Sequence, residues 1–129
     1  MHGDDLCNHI GYFAQALSLR QERGEMLASN IANAATPGFK ARDIDFHAAF
    51  AARTGQGAMA ASDKRHFTHG ADRVLGPGYR MQVTPSLDGN TVELAVEQME
   101  FAENSLRYQM SLNFLNRRIG SAMGAMREE

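Results

Sequence analysis

The chain has 129 residues, 43% of them hydrophobic and 22% charged, enough for one domain or one pair of long helices with a connector and too few for two independent cores. Thirteen Lys and Arg against fifteen Asp and Glu leave a net charge of -2, so no basic field draws in nucleic acid. A single cysteine, Cys7, excludes an internal disulfide, and no apolar run approaches the roughly 18 residues of a bilayer span.

The opening Met1-His2-Gly3-Asp4-Asp5 lacks the basic start and greasy core of a cleaved secretory signal, so export would need another route. From Asp5 to Asn33, Leu6, Ile10, Phe13, Leu17, Gly24, Leu27 and Ile31 recur in steps of four and three, with Arg20 the one charged member. That spacing predicts a long helix with a heptad seam against another helix. Pro37 and Gly38 follow in Ala34-Ala35-Thr36-Pro37-Gly38, so the helix is expected to stop near Asn33 or Ala34.

Between Phe39 and Leu87 the pattern weakens. Seven of twelve glycines lie in or at the borders of this stretch, which is not a third long helix. Ile44 to Arg53 reads as a short helix begun by Asp43 or Asp45, and Arg80-Met81-Gln82-Val83-Thr84 alternates like a strand. Gly55 to Ser62 reads as small-residue filler, and Gly76-Pro77-Gly78 as a turn.

The last segment, Thr91 to about Arg127, repeats the heptad signature through Phe101, Ser105, Tyr108, Leu112, Leu115, Ile119, Ala122 and Met126. Asp88-Gly89-Asn90 marks its start, with Asn90 and Glu93 at the spacing of a capping box. A second stripe of Met99, Leu106, Met110 and Phe114 lies beside the seam. The apolar surface is therefore wider than a two-stranded coiled coil uses, and a hairpin of the two helices would leave part of it bare. Eight methionines and no tryptophan suit contacts that adapt to unequal neighbours. The expected fold is mainly α: long terminal helices packed as an antiparallel coiled-coil hairpin, with a loop-rich middle. It divides into residues 1–34, 35–90 and 91–129 of one structural unit.

The run from Leu27 to Phe46 resembles the signature of bacterial flagellar basal-body rod proteins. It holds Asn30-Ile31-Ala32-Asn33, then Thr36-Pro37-Gly38-Phe39, then Lys40-Ala41-Arg42-Asp43-Ile44-Asp45-Phe46, and the continuation after the turn is most like the proximal-rod members. Gly89 to Leu94, Glu97-Gln98-Met99 and Ala102 to Gln109 are similar to the family's second signature, in the right order. Ala35 stands where the family commonly has an acidic residue and Phe39 where it has tyrosine. The resemblance implies a structural subunit of the proximal rod, exported through the flagellar type III apparatus without signal cleavage. It would pack in the periplasm against copies of itself, other rod proteins and the rod adapter at the inner-membrane ring.

Under that resemblance the assembly interface is expected to comprise Leu6, Ile10, Phe13, Leu17, Leu27, Asn30, Ile31, Asn33, Pro37, Gly38, Phe39, Ile44 and Phe46 at one end. At the other it would take Leu94, Met99, Phe101, Leu106, Tyr108, Met110, Leu112, Leu115 and Ile119. Asn30 and Asn33 share a helix face, where their amides either satisfy terminal carbonyls or donate across a subunit contact. Lys40, Arg42, Asp43 and Asp45 read either as an inter-subunit salt-bridge set or as a solvated loop.

His66-x-x-His69, and Cys7 with His2 and His9, alone invite a metal, and neither supplies a four-ligand set. No phosphate loop, nucleophile elbow or catalytic triad is evident, so no enzyme, cofactor or metal is expected. A small helical adaptor that dimerises on a cytoplasmic partner is the competing reading, with a small hydrolase third.

Overall fold

A computed structural model of the chain describes residues 3–55 and 77–127. The elements run α1 (Gly3–Ala32), β1 (Arg42–Asp43), α2 (Phe46–Thr54), β2 (Gly78–Tyr79) and α3 (Leu94–Arg127). α1 and α3, of 30 and 34 residues, would extend about 45 and 51 Å at 1.5 Å per residue. They pack antiparallel. Phe13 meets Phe114, with ring centroids 5.0 Å apart, Arg20 lies beside Asn104, Arg23 reaches Glu100 and Asn30 reaches Glu97. The mainly helical hairpin expected from the heptad steps is the fold observed.

α1 ends where the sequence places its breaker. Ala32 is its last residue, and Asn33 to Ala35 form a turn before Pro37. Gly38 then takes φ +72°, a left-handed angle that glycine adopts at little cost, and its N–H donates to the Asp88 carbonyl at 3.0 Å. The opposing turn also relies on a positive φ, at Gly89. The two turns are tied by Thr91 N–H to Phe39 O at 2.9 Å and by Ala41 N–H to Thr91 Oγ1 at 2.7 Å.

α2 begins at Asp45, one of the two predicted caps. Its carboxylate accepts the Ala48 N–H at 3.1 Å, satisfying one of the donors that every helix start leaves free. Leu19, Ile44 and Ala49 form the buried cluster beneath it, with Met26, Phe46 and Phe50 packed around. Leu19 lies off the predicted seam. It belongs to a second stripe on α1, Ala16-Leu19-Arg23-Met26, in steps of three and four, of which Leu19 and Met26 pack in the cluster under α2 while Arg23 bridges Asp43 of β1 and Glu100 of α3.

Two local expectations are corrected. The strand predicted over Arg80–Thr84 is instead Gly78–Tyr79, paired antiparallel with Arg42–Asp43 in the register Arg42 opposite Tyr79 and Asp43 opposite Gly78. Arg80 closes this pairing by donating its N–H to Ala41 O at 2.9 Å, and the chain then bends at Val83 and Thr84. The capping box of Asn90 and Glu93 does not form, because Asn90 is committed elsewhere and α3 starts at Leu94 rather than Thr91. The Glu93 carbonyl accepts the first helical N–H, from Glu97, at 2.9 Å.

Candidate functional site

Where the two turns meet, a buried polar junction ties both long helices to the middle of the chain. Asn90 is nearly enclosed, and its amide Nδ2 donates to three carbonyls at the end of α1: Asn33 at 3.0 Å, Ala34 at 2.9 Å and Thr36 at 2.8 Å. Its Oδ1 accepts the Val92 N–H at 2.8 Å. A residue expected to cap its own helix therefore caps the other one. Asn33 completes the same end locally, donating to Ser29 O at 2.8 Å and accepting from the Thr36 hydroxyl at 3.1 Å.

Asn30 performs a second cross-link. It is buried, donates to the Arg42 carbonyl at 2.6 Å and to Glu97 Oε2 at 3.1 Å, and accepts the Arg42 N–H at 3.1 Å. Of the alternatives open for Asn30 and Asn33, Asn33 satisfies a carbonyl of the helix end, whereas Asn30 serves the backbone of β1 and a carboxylate on α3.

Around Asn30 runs a chain of ions drawn from four parts of the sequence. Arg23 grips Asp43 with two bonds, at 2.8 and 3.0 Å, and reaches Glu100 at 2.7 Å. Arg80 donates to the same Asp43 and, through its other nitrogen, to Glu97 at 2.5 Å. Glu97 is wholly buried, so its carboxylate depends on Arg80 and Asn30 for the solvation that water would otherwise give. Burial pushes the Asp43 carboxyl up, but the bonds from Arg23 and Arg80 outweigh it and hold the group below the usual carboxylate range. The bond to Asp43 likewise raises the Arg23 guanidinium above its ordinary value, against the opposing effect of burial.

Lys40, Arg42, Asp43 and Asp45 do not pair with one another. Lys40 donates to Gly89 O at 2.7 Å, Arg42 lies over the Tyr79 ring at 5.6 Å, Asp43 anchors the ion chain and Asp45 caps α2. Sequence reasoning missed Arg23, Arg80, Glu97 and Asn104. The available signal was a charged or amide side chain interrupting an apolar stripe: Arg23 between Leu19 and Met26, Glu97 and Asn104 in step with Phe101 and Tyr108. Asn104 donates to the Arg20 carbonyl at 2.8 Å, close to Gly24, where an added Cβ would lie 3.3 Å from its amide nitrogen.

Of the residues expected at an interface, Leu27, Asn30 and Ile44 are buried within the single chain. Leu6, Ile10, Phe13, Leu17, Ile31, Asn33, Phe39, Phe46, Tyr108, Leu112, Leu115 and Ile119 are half-buried, mostly along the α1–α3 seam and under α2. Phe46 stacks on Phe50 and carries the Arg20 guanidinium 3.9 Å above its ring. Pro37 and Gly38 are exposed at the turn. Leu94, Met99, Phe101, Leu106 and Met110 remain exposed on α3, with Phe114 beside them. The second stripe read from the sequence is thus a bare apolar face beside the seam.

His66, His69 and His2 lie outside the described residues, as does the filler beyond Gly55 and the start of the Gly76-Pro77-Gly78 turn. Among the described residues no group of three or more metal-ligating side chains comes together, and no helix is long and apolar enough to cross a membrane.

The family model described as "Flagella basal body rod protein" matches residues 14–40, which span the ion-bearing half of α1 and the Thr-Pro-Gly turn. Over nearly its whole length the chain is similar to curated proteins named "Flagellar basal body rod protein FlgB". The one from Cereibacter sphaeroides ATCC 17023 is 58% identical over 123 residues, 95% of this chain and 96% of the relative. Those of Proteus mirabilis, 40% identical with 97% and 98% covered, and Escherichia coli K12, 41% identical with 95% and 96% covered, lie further off. Identity of this degree, end to end in both partners, means that the chain belongs to the flagellar basal body rod protein family.

Proposed function

We propose that the chain is a structural subunit of the flagellar proximal rod, a non-enzymatic element of the shaft that transmits torque from the inner-membrane ring toward the hook. The observation that carries this reading is the bare stripe of Met99, Leu106 and Met110, continued by the partly covered Phe114, along a helix already seated on α1. Apolar surface of that extent on a small chain marks an interface, and full-length similarity to rod proteins gives its neighbours a natural identity. Long helices lying near the shaft axis resist twisting because many seam contacts must slip together.

The neighbours would be copies of this chain, other rod proteins and the rod adapter at the inner-membrane ring. Delivery would be through the flagellar type III apparatus, without a cleaved signal, to a site within the periplasm. The exposed members of the predicted interface would make the contacts. Leu27, Asn30 and Ile44 would serve assembly by holding the hairpin in shape.

Fractionation tests the proposal. The protein should be retained in detergent-extracted basal bodies, and Leu112→Pro, which breaks α3 in its middle, should abolish motility. Recovery from the cytosol alone, as a discrete dimer, would favour the adaptor reading instead.

A further inference from the structure

The geometry points to a carboxylate-binding site at Arg20, in the cleft walled by α1, α2, β2 and α3, shaped to take an acidic side chain of a partner protein. The cleft has a volume of about 540 Å³, and Arg20, Arg23, Arg80 and Arg107 line it beside Phe46 and Tyr79. Arg20 is also the one charged member of the α1 seam.

What sets Arg20 apart is that its charge has no counterpart. The other arginines of the cleft are engaged: Arg23 with Asp43 and Glu100, Arg80 with Asp43 and Glu97, and Arg107 with Glu103 at 2.6 Å, one helical turn away. Among the described residues Arg20 has no carboxylate partner, and its Nε is buried without an acceptor. Its guanidinium lies 3.9 Å over the Phe46 ring, which holds the group but accepts no conventional hydrogen bond. Burial, and then the guanidinium groups of Arg107 and Arg23, pull Arg20 below its ordinary value, and Glu103 does not offset them. A cation stripped of part of its water and crowded by like charges gains more from an incoming anion than a fully solvated one does.

A single carboxylate is the ligand that fits these walls. The planar fork of a guanidinium matches a carboxylate better than a point charge does, and Ile44, Phe46 and Tyr79 give apolar cover to the methylene stem of an aspartate or glutamate. Asp43, Asp45 and Glu103 line the same cleft, so the greater negative charge of a phosphate meets repulsion that one carboxylate largely escapes. That the acid belongs to a rod neighbour rests on the rod reading above; the binding site itself does not.

The test titrates the purified full chain, at constant ionic strength, with N-acetylglutamate, N-acetylglutamine and inorganic phosphate, and follows the arginine Nε–H resonances by nuclear magnetic resonance. The Arg20 signal is assigned by its absence from Arg20→Met. N-acetylglutamate at millimolar concentration should shift that signal saturably, and N-acetylglutamine should leave it in place. No saturable shift, an equal shift with the glutamine analogue, or tighter binding of phosphate overturns the site. As a second arm, Arg20→Met keeps an apolar stem against Phe46 and strands no internal carboxylate, so the urea midpoint of the purified chain should hold or rise while swimming is lost. A lowered midpoint makes Arg20 a structural residue and overturns the proposal, as does swimming at the unmutated rate. Absence of the unmutated chain from basal bodies sinks the rod reading instead, and the titration alone then decides the site.

Discussion

Replacing Asn90 by alanine removes a side chain that joins the end of α1 to the approach to α3. Its two amide hydrogens are shared among three carbonyls at 2.8 to 3.0 Å, and its oxygen takes the Val92 N–H. Counting two effective donated bonds and one accepted bond at about 1 kcal/mol each gives a loss of about 3 kcal/mol. Asn90 itself is nearly enclosed, so water replaces its amide only in part. Asn90→Asp is the sharper variant, because it keeps the size but points a carboxylate at three carbonyl oxygens. The buried acid would have its pKa raised, so its penalty grows as pH rises above about 4. Urea unfolding followed by circular dichroism at pH 7 and pH 4 reads both effects. A loss below about 1 kcal/mol for Asn90→Ala, or an Asn90→Asp chain more stable at pH 7 than at pH 4 relative to the unmutated protein, would refute the reasoning.

Four further outcomes are expected. Glu97→Ala strands Arg80 beside Asp43 alone and should cost about 3 to 5 kcal/mol in the same assay, the range for breaking one side of a buried ion pair. Asp43 has a folded pKa below its unfolded value, so its stabilising contribution is complete above about pH 4 and is lost as pH falls through the folded pKa. Acid titration of Asp43→Asn should accordingly show a flatter loss of stability below pH 4 than the unmutated chain. Leu19→Ala empties the cluster under α2 and should cost about 2 to 5 kcal/mol, measured by denaturant midpoint. Gly24→Leu pushes a side chain into the Asn104 contact and should cost about 1 to 3 kcal/mol by overpacking, visible as a lowered thermal midpoint.

What was legible in the sequence was local or periodic. Pro37 and Gly38 stop α1 through their own backbone geometry, Asp45 caps α2 through its own side chain, and the heptad steps place α1 against α3. The ion chain was not legible, because Arg23, Asp43, Arg80 and Glu97 are separated by 17 to 37 residues for each contact among them and no short motif links them. Asn90 misled for a related reason. An asparagine three residues before a glutamate fits a capping box, yet its amide gains more from the carbonyls at the end of another helix. The strand was misplaced by alternation alone: Arg80 to Thr84 alternates, but Arg80 faces inward to carboxylates that only the folded chain supplies, and Thr84 is exposed.

The interface residues divide along the same line. The seam periodicity identifies which residues leave water, and it cannot distinguish burial against α1 from burial against a neighbour. Leu27 and Ile44 were covered from within the chain, whereas Met99, Leu106 and Met110 were left bare. A width of apolar surface beyond one partner's need was the signal that separated the two groups, and it came from counting both stripes of α3 together.

The most direct measurement is electron cryo-microscopy of the isolated basal body at side-chain resolution. Met99, Leu106, Met110 and Phe114 should each have side-chain atoms of a neighbouring subunit within about 4 Å. A rod in which this chain is present and that stripe faces open solvent would contradict the account.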